Sequence, residues 1–191
     1  GAPHVDEEPA PGAGRQPPAA LIRDARHRPP GHADRAASTP PLPPIEVIEP
    51  LIKPQALDLV RKHQARGDVC LMITATNEFV TAPIAARFGI EHLIACGVER
   101  IGGRYTGRPQ GIASFREGKV TRLVQWIEAK GYQAESLLGQ ASFYSDSAND
   151  IALLERVGFP VATNADSRLR AHAHAKGWIS LELFNHDEAR A

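Results

Sequence analysis

The chain has 191 residues, and its 22 basic and 22 acidic side chains give no net charge when histidine is neutral. This length fits one domain with a substantial core, and the balanced charge gives no support for binding nucleic acid or an acidic membrane surface. No stretch approaches the ~20 apolar residues of a membrane span, and the first residues lack the apolar run of a signal peptide. We therefore expect no membrane association, and a function that depends on a local site.

The two cysteines indicate the compartment. Cys70 and Cys96 are the only cysteines, and they lie far apart without the spacing of a metal site. Two unpaired thiols in a chain of this size are typical of a reducing environment. We therefore expect a cytoplasmic protein.

Residues 1–44 differ in composition from the rest. They contain 11 of the 16 prolines, and their only large apolar residues are Val5, Leu21, Ile22 and Leu42. Such a segment buries too little apolar surface to offset the entropy of ordering it. We expect a disordered Pro/Arg/Ala-rich tail over 1–44 and a folded domain over 45–191.

From Ile45 onward, apolar runs of strand length alternate with stretches of helical spacing. Strands are expected at 69–73, 90–95, 141–145, 159–162 and 178–181, and helices at 54–67, 77–88, 117–131 and 166–176. A further helix after the 141–145 strand is expected to carry Ile151, Leu154 and Val157. A hairpin is expected at 100–107, turning at two glycines. The continuous apolar run Val69-Cys70-Leu71-Met72-Ile73 is typical of a strand covered on both faces. This alternation predicts an α/β, Rossmann-like doubly wound domain with a mainly parallel sheet.

Three polar groups stand where such a sheet binds ligands. A hydroxyl ends one strand (Thr74 or Thr76), Lys119 begins a helix, and Asp146 with Asp150 follows another strand. Because parallel strands place their carboxyl ends on one edge, these groups can meet in one pocket. An ammonium, a hydroxyl and carboxylate-bound Mg²⁺ together suit a phosphate group. The alternative is structural: Ser147 and Asn149 are ordinary helix caps, the aspartates complement a helix dipole, and Thr74 is a β-branched strand residue.

Three motifs in order carry a family resemblance. Met72-Ile73-Thr74-Ala75-Thr76-Asn77, Arg116-Glu117-Gly118-Lys119 and Tyr144-Ser145-Asp146-Ser147-Ala148-Asn149-Asp150 match in order, spacing and context. The chain resembles the haloacid-dehalogenase-like hydrolases, in particular the phosphoserine-phosphatase-like subfamily IB. The resemblance implies a Mg²⁺ cofactor held by Asp146 and Asp150. It also implies catalytic roles for Thr74, Lys119 and Asp150, and phosphate or substrate contacts from Thr74, Thr76, Asn77, Lys119 and Asn149.

The first motif of that family is not found. It supplies an apolar strand followed by Asp-x-Asp, whose first aspartate attacks phosphorus; residues 1–44 contain no Asp-x-Asp, since Asp6 follows a single valine and Asp24 stands between arginine-rich neighbours. The helical cap between the first and second motifs is missing as well. We therefore expect a partial core that lacks its first-motif strand and cap. We also hypothesise that residues 1–44 are not the native start, as a reading-frame error would produce.

The resemblance implies a Mg²⁺-dependent phosphomonoesterase acting on a small phosphorylated metabolite. Because a lysine and a metal cannot replace a nucleophilic carboxylate, we expect this chain to be inactive in the aspartyl-phosphate step. The alternative is a pseudoenzyme that binds Mg²⁺ and phosphate or a phosphorylated ligand without hydrolysing it. A nucleotide-binding domain is disfavoured, because the chain has neither G-x-G-x-x-G nor G-x-x-x-x-G-K-[ST]. The substrate and the oligomeric state stay open.

Overall fold

The computed structural model describes residues 19–22, 49–102 and 104–184. Its strands are β1 Ala19–Ile22, β2 Val69–Asn77, β3 His92–Ile101, β4 Arg104–Gln110, β5 Ser142–Ser145, β6 Phe159–Thr163 and β7 Ile179–Leu181. Its helices are α1 Pro54–Ala65, α2 Glu78–Arg87, α3 Glu117–Ala129, α4 Ala134–Leu138, α5 Ile151–Leu154 and α6 Ser167–Lys176. Short 3₁₀ turns stand at Glu49–Leu51 and Ala148–Asp150.

The seven strands of the described residues form one sheet in the order β4-β3-β2-β1-β5-β6-β7. Every neighbouring pair is parallel except β3 with β4, which run antiparallel. The chain moves outward from the centre on one side through β2 and β3, and on the other through β5, β6 and β7. The predicted α/β doubly wound architecture is therefore confirmed.

Two apolar clusters cover the two faces of this sheet. One joins alternate sheet residues to α3, α5 and α6, and its largest buried members include Leu71, Ile73, Leu123, Phe143 and Leu154. The other joins Cys70 and Met72 of β2 to Val60 of α1, Ile84 of α2 and Ile90 after α2. Alternate residues of β2 therefore face opposite clusters, which confirms that the 69–73 run is covered on both sides.

The centre of the sheet corrects one expectation. A sheet without its first-motif strand was expected, but Ala19–Ile22 form β1 and pair in parallel with both β2 and β5. Four residues with two alanines give little strand signal on their own. Hydrogen bonds from two flanking strands satisfy their backbone groups, and this tertiary context sets the conformation. Disorder was therefore the wrong expectation at 19–22, while the rest of 1–44 lies outside the described residues.

Two further elements differ from the sequence prediction. β3 is one long strand, whose first half pairs with β2 and whose second half pairs with β4, so the hairpin extends from the sheet itself. The five-residue helix α4 was not predicted, because so short a segment carries too little periodicity. Among the described residues, no helix combines the length and apolar character needed to cross a bilayer.

Candidate functional site

The predicted site residues flank the carboxyl end of the central strand. Ile22, the last residue of β1, pairs with Met72 on one side and Tyr144 on the other. Thr74 and Asp146 each stand two residues beyond those partners. The sheet therefore places the second and fourth motifs on either side of the end of β1, as the parallel topology predicted.

A buried ion pair connects the third motif to the fourth. The Nζ atom of Lys119 lies 2.6 Å from Oδ1 of Asp150, and both side chains are only 1% exposed. The hydroxyl of Ser145 donates a hydrogen bond of 2.6 Å to Oδ2 of Asp150. Lysine and aspartate are rarely buried unless paired, because removing each charge from water is costly. The fold therefore buries the Lys119 ammonium group at this end of the sheet, where the Asp150 carboxylate holds it in place.

The turn before α3 explains why the Lys119 motif has its particular residues. Arg116 has a φ of +48°, an uncommon value for a residue other than glycine. A Cβ atom on Gly118 would lie 2.1 Å from the carbonyl oxygen of Ala113, which no ordinary contact allows. The backbone therefore requires glycine next to Lys119 for steric reasons, and this tight turn directs the start of α3.

The second motif ends β2 and begins α2. Thr74 is buried, and its Oγ1 accepts a hydrogen bond of 3.1 Å from the Thr76 backbone N–H. Asn77 caps α2, as predicted, because its Oδ1 accepts from the Val80 N–H at 3.0 Å. Thr76 and Asn77 are half-buried. Their contacts with phosphate, and that of Thr74, stay predictions.

The fourth motif forms a turn held by its own serines. Ser145 Oγ accepts from the Ser147 N–H at 3.2 Å, and Ser147 Oγ accepts from the Asn149 N–H at 3.3 Å. Ser147 is thus a cap, as the structural alternative expected, but Asn149 is not one and is half-buried. The substrate contact expected of Asn149 stays a prediction.

The two candidate metal ligands differ in their surroundings. Asp146 is half-buried, whereas Asp150 is buried with one oxygen bonded to Lys119 and the other to Ser145. Within residues 49–102 and 104–184, no three histidine, cysteine, aspartate or glutamate side chains are grouped to hold a metal. Mg²⁺ is often held by only one or two carboxylates plus substrate phosphate and water, so this donor set fits that cation. Metal binding by Asp146 and Asp150 stays a prediction.

Ser145 and Asp166 are two site residues that sequence reasoning did not single out. The Ser145 hydroxyl contacts two other residues of the fourth motif: it donates to Asp150 and accepts from the Ser147 N–H. Asp166, expected only as a helix start, accepts a hydrogen bond of 2.8 Å from the Ala148 N–H in the same turn. Only the pairing of β5 with β6 brings Asp166 there, so no local signal predicts it.

A second polar group lies on the α1 face of the sheet and includes Tyr144, the first residue of the fourth motif. His63 Nε2 lies 2.8 Å from the hydroxyl of Tyr144, and its Nδ1 lies 2.6 Å from Oδ2 of Asp68. Burial raises the pKa of Tyr144, and burial with the nearby Asp68 carboxylate raises the pKa of the Cys70 thiol to about 11. These groups connect α1 to β5 just before the turn that carries Asp146.

Comparison with known proteins agrees with this geometry. The family model for haloacid dehalogenase-like hydrolases matches residues 19–155, beginning at the first residue of β1. Histidinol-phosphatase of Neisseria meningitidis is 46% identical over 139 residues, which cover 72% of this chain and 62% of that protein. A phosphoserine phosphatase of Mycobacterium tuberculosis is 33% identical over 133 residues, covering 70% of this chain and 42% of that protein.

A solved structure has a similar fold. A protein of unknown function from Bordetella pertussis Tohama I is 51% identical, with a TM-score of 0.69. That match covers 73% of this chain and 62% of the Bordetella protein. The chain therefore spans less than two thirds of the length of these relatives.

Proposed function

The chain belongs to the haloacid dehalogenase-like hydrolase family, and we propose that its site binds Mg²⁺ and the phosphoryl group of a small phosphorylated metabolite. The observation that carries this proposal is the buried Lys119–Asp150 pair at the carboxyl end of the sheet. A buried ammonium requires a reason, because a well-packed apolar pair is often equally stable. Recognition of a doubly charged phosphate supplies that reason, since ammonium groups attract phosphate strongly.

The names of two relatives support a proposal for the substrate class. Histidinol phosphate and phosphoserine, the compounds in those names, are both phosphate monoesters of a primary alcohol with an amino group on the neighbouring carbon. We therefore propose a phosphate monoester of a 2-amino alcohol as the ligand. Thr74, Thr76, Asn77 and Asn149 stand around the same end of the sheet, and we assign them contacts with the phosphoryl or amino alcohol part.

Asp146 is the residue that we propose to hold Mg²⁺ directly. Its half-buried carboxylate follows β5, and a hard oxygen donor suits this cation. When bound, the metal supplies positive charge that neutralises phosphate oxygens. Asp150 supports the same charge balance by fixing the Lys119 ammonium, and Ser145 fixes Asp150.

Hydrolysis needs a further group. No two aspartates are separated by a single residue anywhere in the 191 residues. Family-type catalysis passes through an aspartate nucleophile, so we propose that this chain does not complete the aspartyl-phosphate step. The same observation favours the second candidate function, which is binding of Mg²⁺ and a phosphorylated ligand without turnover. The free thiols of Cys70 and Cys96 agree with a reducing compartment such as the cytoplasm.

The test combines hydrolysis with binding. Release of p-nitrophenol from p-nitrophenyl phosphate is measured with and without Mg²⁺, and histidinol phosphate and phosphoserine are titrated by calorimetry. We expect no hydrolysis, and binding that disappears in Asp146→Asn. Asp24 lies outside the described residues, but it is the first aspartate after β1 in the sequence, so Asp24→Asn is the control for a hidden nucleophile. Hydrolysis by the wild-type chain that is lost in both Asp146→Asn and Asp24→Asn would overturn the proposal that the chain does not complete the aspartyl-phosphate step. Absence of binding by the wild-type chain would overturn the proposed site.

A further inference from the structure

We propose that Asp166 is a positioning residue that clamps the metal-binding turn from outside. This inference rests on the proposed function, because it assigns the clamp a purpose at the Asp146 site. Asp166 lies between β6 and α6, and nothing in the three motifs includes it. Its hydrogen bonds join two segments that lie about twenty residues apart in the sequence.

Three contacts define the clamp. The Asp166 backbone N–H donates to the carbonyl oxygen of Asp146 at 2.8 Å. Oδ2 of Asp166 accepts from the Ala148 N–H at 2.8 Å, and Oδ1 accepts from the Leu169 N–H at 2.8 Å. One carboxylate therefore caps α6 and holds the turn that carries Asp146. Each carboxylate oxygen accepts from a different backbone N–H, so the cap and the contact with the turn depend on the same side chain.

The turn is held by two sets of contacts. Within the fourth motif, Ser145 accepts from the Ser147 N–H, and Asp150 is fixed by Lys119 and Ser145. From the loop between β6 and α6, Asp166 donates to the carbonyl of Asp146 and accepts from the N–H of Ala148. The Asp146 side chain leaves the backbone between these anchor points. Its direction therefore depends on both sets of contacts, and loss of the Asp166 contact loosens the turn that carries the Asp146 carboxylate.

Capping and clamping can be separated by one substitution. Serine is as good a helix cap as aspartate, so Asp166→Ser keeps an acceptor for the Leu169 N–H. Its single oxygen cannot serve the Ala148 N–H as well, and the backbone bond to Asp146 remains in every variant. Asp166 is solvent-exposed, so the substitution leaves the core intact. A purely structural cap predicts no effect of Asp166→Ser on the metal site.

Two measurements decide between these roles. Amide exchange by NMR is expected to accelerate at Ala148 in Asp166→Ser, while exchange at Leu169 stays slow. Titration with MgCl₂, alone and with inorganic phosphate, is expected to show about tenfold weaker Mg²⁺ binding, at the lower end for residues that orient metal ligands. The melting temperature is expected to stay within about 3 °C of wild type.

A side-chain hydrogen-bond contact elsewhere in the fold provides the matched control. Gln64 Nε2 donates to the carbonyl oxygens of Phe88 and Gly89, which joins α1 to the loop after α2. Gln64→Ala is expected to lower the melting temperature without changing the Mg²⁺ affinity. Unchanged exchange at Ala148, or Mg²⁺ affinity equal to wild type in Asp166→Ser, would overturn the clamp. If wild type binds no Mg²⁺, the proposed function fails, and the exchange at Ala148 still decides whether the clamp exists.

Discussion

The buried pair between Lys119 and Asp150 makes a quantitative prediction. At the observed 2.6 Å, Coulomb's law with an effective dielectric constant of about 20 gives about 6 kcal/mol of attraction. Removing one partner of a buried pair usually costs about 3–5 kcal/mol, because the remaining charge is left without compensation. We therefore expect Lys119→Met to lower the free energy of unfolding by about 3–5 kcal/mol, a large part of the stability of an ordinary domain.

A double-mutant cycle measured by urea denaturation tests whether the two buried charges are energetically coupled. Asp150→Asn removes the second charge while its amide oxygen can still accept from Ser145. The Lys119→Met/Asp150→Asn double variant is expected to recover stability, with a coupling energy of about 2–3 kcal/mol. Lys176→Met is the matched control, because the Lys176–Glu155 pair is well exposed and its loss should leave the urea midpoint unchanged. Additive losses below about 1 kcal/mol for both single variants would refute a coupled, buried pair.

Three further predictions concern the surroundings of the site. Gly118→Ala should cost about 2–3 kcal/mol of unfolding free energy in urea, because its Cβ would collide with the Ala113 carbonyl oxygen; an unchanged midpoint would argue against the tight turn. Tyr144→Phe should cost about 1–3 kcal/mol by leaving a nitrogen of His63 unpaired, and thermal denaturation with no loss would contradict that contact. At pH 8 the raised pKa leaves about a hundredfold less thiolate on Cys70 than on a thiol with the ordinary value, so mass spectrometry should show slow alkylation that urea accelerates.

The sequence predicts those strands and helices of this fold that are identified by local patterns of residues. The apolar run at 69–73 identifies a strand covered on both faces, and Asn77 identifies the start of α2. The central strand carries no such signal, since Ala19–Ile22 are short and follow two prolines. Their pairing with β2 and β5 comes from residues about 50 and 120 positions away in the chain, which no local pattern contains.

The candidate site shows the same division. The motifs identify Lys119 and Asp150, but only the structure shows that they form a buried pair with Ser145 as the third member. Asp166 could be predicted as a helix start, because aspartate is a common cap. Its bond to the Ala148 N–H depends on how β5 and β6 pair, and this long-range contact could not be read from the sequence.

Calorimetric titration of inorganic phosphate into the protein, with and without Mg²⁺, is the direct test of the proposed phosphoryl site. We predict that Mg²⁺ raises the affinity for phosphate at least about tenfold, and linkage requires phosphate to raise the affinity for Mg²⁺ by the same factor. This coupling should disappear in Asp146→Asn, and phosphate binding should disappear in Lys119→Met. Two results would contradict a Mg²⁺-dependent phosphoryl site at this end of the sheet. One is phosphate binding that is equal with and without Mg²⁺ and survives both substitutions. The other is no phosphate binding at all.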